Sequence, residues 1–127
     1  MSEILIPVAP GELIDKVTIL QIKSERINDE GKLENIKKEL SLLTNICLKH
    51  EISLDNNLVL ELKKINETLW EIEDDIRDKE RKKSFDDEFI KLARAVYVTN
   101  DKRCVVKNEI SKLIGSEFLE EKSYSEY

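Results

Sequence analysis

Residues 56–83, NNLVLELKKINETLWEIEDDIRDKERKK, place Leu58, Leu62, Ile65, Leu69, Ile72 and Ile76 at alternating spacings of four and three. A strand would alternate apolar and polar residues one by one. This period instead aligns all six side chains on one stripe of an α-helix. Asp55 precedes the stretch as a candidate N-cap, whose side-chain oxygen can accept from an unpaired N–H of the opening turn. A helix this long must bury its seam against other helices, so the stretch predicts an all-α protein.

Downstream, Ser84 with Asp87 three residues on resembles a capping box, with Asp in place of the usual Glu or Gln. It opens a fourth helix carrying Phe89, Leu92, Ala93 and Val96, with Gly115 as its stop because glycine tolerates the left-handed conformation of a helix end. Upstream, residues 32–49 carry Leu33, Ile36, Leu40, Leu43 and Cys47, a narrow seam with a lysine-rich outer face. Residues 11–28 have two stripes: Leu13, Val17, Leu20 and Ile27 on one side, Ile19 and Ile22 on the other, flanked by Asp15 and Arg26. A helix apolar on two sides is buried on two sides, either as the central element of a bundle or as a contact between copies.

Short connections at NDEG (28–31) and around Ser84 make antiparallel hairpins. The expected fold is an antiparallel helical bundle of two helix hairpins forming one domain, residues 1–115. An acidic, aperiodic tail follows over residues 116–127, with Phe118, Leu119 and the tyrosines as its anchors. In front of the bundle, ILIPV (4–8) is apolar and largely β-branched, while Pro7 removes one ladder donor. It reads as a short extended arm or edge strand that needs cover from the bundle or from a second copy.

Bulk composition narrows the function classes. A chain of 127 residues suffices for one core, and 38% charged residues with three Gly and two Pro favour long helices over a turn-rich sheet. A net charge of −6 repels polyphosphate and argues against nucleic acid as partner. Cys47 and Cys104 stand far apart with His50 as the sole imidazole, so no zinc set is expected and the thiols read as small core residues in a reducing compartment. No apolar run is long enough to span a bilayer, and the start carries Glu3 where a signal peptide carries basic residues. A cytoplasmic location is expected, with no membrane contact.

The stretch VYVTNDKR (96–103) turns the fourth helix abruptly polar. No Gly or Pro interrupts it, so a continuous helix is expected. Both ways of tracing its seam then place Asn100 and Lys107 on the inward line, as in a polar layer or cavity. Arg94, Tyr97 and Asp101 share a face. On the third helix Trp70 lies roughly 130° from the centre of its stripe, at roughly 100° per residue, and forms a second face with Asp74 and Arg77. Folding the two helices back on each other brings Asp74 near Arg94, and Trp70 near Tyr97 and Asp101. The candidate ligand-binding residues are therefore Trp70, Asp74, Arg77, Arg94, Tyr97, Asn100 and Asp101. Arginines grip carboxylate or phosphate and rings cover an apolar part, which fits an anionic small molecule. The same residues also suit plain structure: a gap-filling Trp70, an Asp74–Arg94 ion pair and a Glu73–Arg77 surface pair.

Glu71, Asp74, Asp75 and Asp78 have a spacing that on a helix can hold Mg²⁺, as the acidic pairs of all-helical nucleotide pyrophosphatases do. The second acidic group, Asp86, Asp87 and Glu88, sits at the turn, and Lys79, Lys82 and Lys83 interleave the first. This fits a solvated face, so neither metal nor cofactor is expected. GELIDKVTILQIKSER (11–26) resembles the opening helix of helical chorismate mutases, with an Asp near its start and an Arg near its end, but the rest of that basic pocket has no counterpart. Neither a nucleophile–base pair nor a Gly-rich phosphate loop is present.

IPVAPGELIDKVTILQIKSERI (6–27), LWEIEDDIR (69–77) and LARAVYVTNDKR (92–103) together resemble an uncharacterised, domain-of-unknown-function family of small bacterial and phage proteins. The resemblance covers nearly the whole chain and implies a stand-alone cytoplasmic protein, without supplying an activity or catalytic residues. The reading that follows is a non-catalytic binding or interaction module that self-associates as a homodimer through its first helix and arm. The alternative is a small enzyme or ligand-binding protein centred on the Trp70, Arg94, Tyr97 and Asp101 cluster.

Overall fold

The computed structural model describes residues 3–116 and 119–127; Phe118, one of the expected tail anchors, lies outside them. Four helices make up the chain: α1 Pro10–Arg26, α2 Glu30–Lys49, α3 Asn57–Arg81 and α4 Asp87–Ile114. No strand occurs among the described residues, and the fold is the all-α bundle of two hairpins that the periodicity predicts. Helix α1 packs against each of the other three, α3 and α4 form the closest pair, and α2 leans mainly on α1. The two stripes of α1 thus place it at the centre of its own bundle.

Capping chemistry sets the ends, and two of the caps, those of α3 and α4, differ from expectation. Asp29 accepts from Lys32 N–H at 2.9 Å, so NDEG opens α2 as well as ending α1. Asn56, one residue beyond Asp55, accepts from Leu58 N–H and starts α3. Asp86 caps α4 by accepting from Phe89 N–H at 3.0 Å, and Ser84 Oγ steadies that carboxylate by donating to it instead of capping the helix itself. In each case the oxygen belongs to the residue next to the first helical one, where it reaches the unpaired donors of the opening turn. Gly115 ends α4 at φ 85°, the left-handed conformation expected of it.

Helix α1 opens with Pro10 and has no side-chain cap of its own. Its free donor is satisfied from a distance: Gly11 N–H donates to Ser111 Oγ on α4 at 2.9 Å. Glycine is required there by proximity, since a Cβ would sit 2.1 Å from the Lys107 carbonyl oxygen. The start of α1 and the end of α4 are therefore in backbone contact.

The core gathers Ile14, Val17, Cys47, Val59, Leu62, Val106 and Ile110, with Leu13, Leu40, Leu43 and Ile65 packed around it. Fully burying Ile14, Val17 and Leu62 stabilises the fold by roughly 1.5–3 kcal/mol each before entropy is counted. Ile14 belongs to neither stripe read from the sequence, yet it is fully buried, because α1 is packed against all three other helices. Along the α2 seam only Cys47 is fully buried, which matches a helix covered on one face.

Candidate functional site

VYVTNDKR belongs to an unbroken α4 and forms a polar layer against α1 and α3. Its partner is Asp15, a carboxylate on α1 that is 5% exposed. Arg103 grips both oxygens: Nε donates to Oδ1 at 2.9 Å and a terminal nitrogen donates to Oδ2. From α3, Asn66 Nδ2 donates to Asp15 Oδ1 at 2.9 Å and to Thr18 Oγ1 at 3.0 Å, while Thr18 Oγ1 donates to the Asp15 carbonyl. A buried carboxylate needs this much compensation. The hydrogen bond that Arg103 donates to Asp15 raises the Arg103 pKa despite the opposing effect of burial, so the guanidinium stays charged.

One turn along, Lys107 is buried with its Nζ 2.9 Å from Glu12 and 2.8 Å from Glu120. Burial disfavours its charge, but the Glu120 and Glu12 carboxylates outweigh that and raise its pKa. The inward placement read from the sequence is met by Lys107, whereas Asn100 is half-buried at the edge.

Beside this layer, α1, α3 and α4 enclose a groove of about 420 Å³. Its apolar wall is Ile19, Ile22, Leu69 and Trp70, and its polar groups come from Lys23, Asn66, Glu73, Asp74, Asn100 and Arg103. The surrounding hydrogen bonds fix how the amides point. Asn66 must turn its NH₂ to Asp15 and Thr18, which leaves its carbonyl oxygen facing the groove without a protein partner among the described residues. Asn100 Oδ1 accepts from Arg103 at 3.5 Å, leaving its NH₂ available.

The predicted site residues divide between several places. Trp70, Asp74 and Asn100 share the groove. Tyr97 and Asp101, with Asn100, line a separate cavity that the C-terminal segment covers. Arg77 is exposed and pairs with Glu73 at 3.1 Å, the i,i+4 pair the sequence indicates. Arg94 is exposed beside Asp87 and Glu88, and among the described residues it makes no ion pair with Asp74. The ring stacked on Tyr97 is Tyr127, edge to face at 5.5 Å, and Trp70 lines the other cavity. Sequence reasoning chose Arg94 by shared helix face and passed over Lys23, Asn66 and Arg103. The available signal was Asp15 on a two-sided apolar helix, since an inward carboxylate calls for an inward base, and Arg103 lay on one of the two seams of α4.

A family model described as "Family of unknown function (DUF6165)" matches residues 4–126. The chain belongs to that family. No curated protein and no solved structure matches it. The DUF6165 match spans both the arm and the C-terminal segment, and the latter is docked in this structure. Glu120 binds Lys107, its N–H donates to Asn108 Oδ1 at 3.0 Å, and its carbonyl accepts from Asn108 Nδ2 at 3.0 Å. Farther on, Tyr127 OH donates to Asp101 at 2.6 Å, so the segment runs back along α4 as an extended strap. Tyr127 is the tyrosine that anchors it, and Glu120 is an anchor that its acidic, aperiodic composition did not announce.

Among the described residues, no three of the His, Cys, Asp and Glu side chains converge on a point that would hold a metal ion. Nor is any helix among them long and apolar enough to cross a membrane.

Proposed function

We propose that this DUF6165 protein is a non-catalytic interaction module that self-associates through its N-terminal arm. One observation carries the reading: Ile4 and Leu5 are each 89% exposed and Ile6 is 68% exposed, an uncovered apolar run outside any helix. Contiguous apolar surface of this kind marks a contact with another chain. Helix α1 contributes little to such a contact, because its stripes are buried inside the bundle and only Glu12, Lys16 and Glu25 remain exposed.

The occupant this surface fits is a second copy of the chain. The arm starts where Gly11 meets Ser111, and the same end of α4 carries the exposed Leu113 and Ile114. A two-fold axis at this end lets each arm cross to the other copy's α4 terminus, an isologous arrangement in which arm and receptor come from one sequence. Ile4-Leu5-Ile6 is itself symmetric about Leu5, which suits antiparallel pairing of the two arms. The thiols support a non-catalytic role, since burial raises the pKa of both Cys47 and Cys104 and leaves neither activated as a nucleophile.

Light scattering at micromolar concentration tests the proposal. The expected mass is that of two chains of 14.8 kDa each, falling to one chain in Leu5→Asp. A monomeric wild type overturns self-association, and a dimeric Leu5→Asp overturns the arm as its agent.

A further inference from the structure

The groove between α1, α3 and α4 is independent of the arm, and its charges define a ligand class. The geometry points to a binding site for a small zwitterion, an α-amino acid with an apolar side chain. The volume of about 420 Å³ falls within the range of small-molecule sites. Of the charged groups that line it, Arg103 is engaged by Asp15 and Glu73 by Arg77. Lys23 and Asp74 have no ion-pair partner among the described residues, and they bring one charge of each sign to the same groove.

The neutral groups have the same duality. The carbonyl oxygen of Asn66, a residue only 6% exposed, is an acceptor held open to the groove by the two bonds on its nitrogen. Asn100 offers the complementary donor. An ammonium group finds Asp74, with the Asn66 oxygen a separate acceptor about two turns back along α3; a carboxylate finds Lys23, with the Asn100 NH₂ a separate donor on α4; and an apolar side chain finds Ile19, Ile22, Leu69 and the Trp70 ring. A purely anionic ligand would face Glu73 and Asp74 with Lys23 as the one cation not already engaged, so a molecule carrying both charges matches the groove better than an anion. Asp15 and Arg103 touch each other beneath the groove and act as positioning residues by fixing the Asn66 and Asn100 amides.

Trp70 is the only tryptophan, so fluorescence excited at tryptophan and not at the three tyrosines reports on this groove. The full chain is titrated with glycine, leucine and phenylalanine, and with 3-methylbutylamine and 4-methylpentanoate, which keep the leucine side chain with a single charge each. A saturable response to leucine or phenylalanine is expected, at least tenfold weaker for either singly charged analogue. Asp74→Asn and Lys23→Gln, at positions outside the core, are expected to weaken it tenfold while leaving the unfolding midpoint unchanged. The Leu5→Asp protein is expected to respond as the wild type does. The inference is overturned if no amino acid gives a saturable response up to about 10 mM, a range that covers even weak sites. It is equally overturned if a singly charged analogue binds as well as leucine, or if both variants bind as the wild type does.

Discussion

Asp15 on α1 and Arg103 on α4 lie 88 residues apart in sequence and meet as a two-point ion pair, with Nε 2.9 Å from Oδ1. The Asp15 side chain is buried and the Arg103 side chain about a quarter exposed, so the two partners are not equivalent. Removing the arginine strands a buried charge. Arg103→Leu is expected to destabilise the protein by about 3–5 kcal/mol in urea denaturation. Replacing both, with Asp15→Leu added, is expected to restore part of that loss because no charge is left uncompensated. Equal stability of the single variant and the wild type would show the pair to be dispensable.

Gly11 is predicted to resist even the smallest substitution. A Cβ at that position meets the Lys107 carbonyl oxygen at 2.1 Å, and backbone cannot swing aside as a side chain can. Gly11→Ala is expected to cost about 1–3 kcal/mol, as overpacking does elsewhere. The denaturant midpoint should fall with little change in slope. A midpoint equal to that of the wild type would mean the two helices part easily.

Acid and alkali should both release the C-terminal strap. The hydrogen bond from Lys107 lowers the Glu120 pKa below its ordinary 4.5, so this anchor is complete above 4.5 and disappears as pH falls through the lower value. Lys107 is opposed by its own burial, but Glu120 and Glu12 raise its pKa above 10.5. Its contribution is therefore complete below 10.5 and is lost as pH rises past the raised value. Tyr127 acts in the same sense: its hydrogen bond to Asp101 lifts it above 10.0, and ionisation would set a phenolate against that carboxylate. Hydrogen exchange at the Glu120 amide should show protection between these limits and faster exchange beyond either, while the core amides of α1 stay protected.

The cap of α4 has its own acid limit. Asp86 is held at a pKa of about 2, first by Lys79 and next by the Phe89 N–H. Its support for the helix is complete above the ordinary value of 3.8 and fades as pH drops through about 2. Asp86→Ala is expected to speed exchange at the Phe89 amide at neutral pH, whereas Asp87→Ala, the residue a Ser84-led capping box would use, should leave it unchanged. The opposite ranking would restore Ser84 as the cap.

The sequence made the bundle legible because its strongest signals are periodic. The α3 seam and the two-sided stripe of α1 are local patterns that called for a four-helix bundle, but they left α1 either central or a contact between copies, and the fold takes the first. Lys107 could be placed inward by the same arithmetic, which put Asn100 one step too deep. The groove was only partly legible. Trp70, Asp74 and Asn100 were found, but face-sharing within one helix says nothing about which face of the neighbour it meets. Arg94 thus stood in for Arg103, although Asp15 was visible on the apolar helix. The strap was illegible because Glu120 and Tyr127 dock by hydrogen bonds from an aperiodic segment, which leaves no pattern to read.

Helix α1 receives its missing cap from Ser111, a hundred positions downstream, and its buried acid is neutralised by a base nearly as far along. During synthesis the first helix therefore emerges long before the groups that complete it. A ribosome-bound chain interrupted ahead of α4 lacks both the cap and the counter-charge, so its opening helix cannot settle into the interior. A chain truncated ahead of α4 is therefore expected to be cut by protease faster than one that includes it.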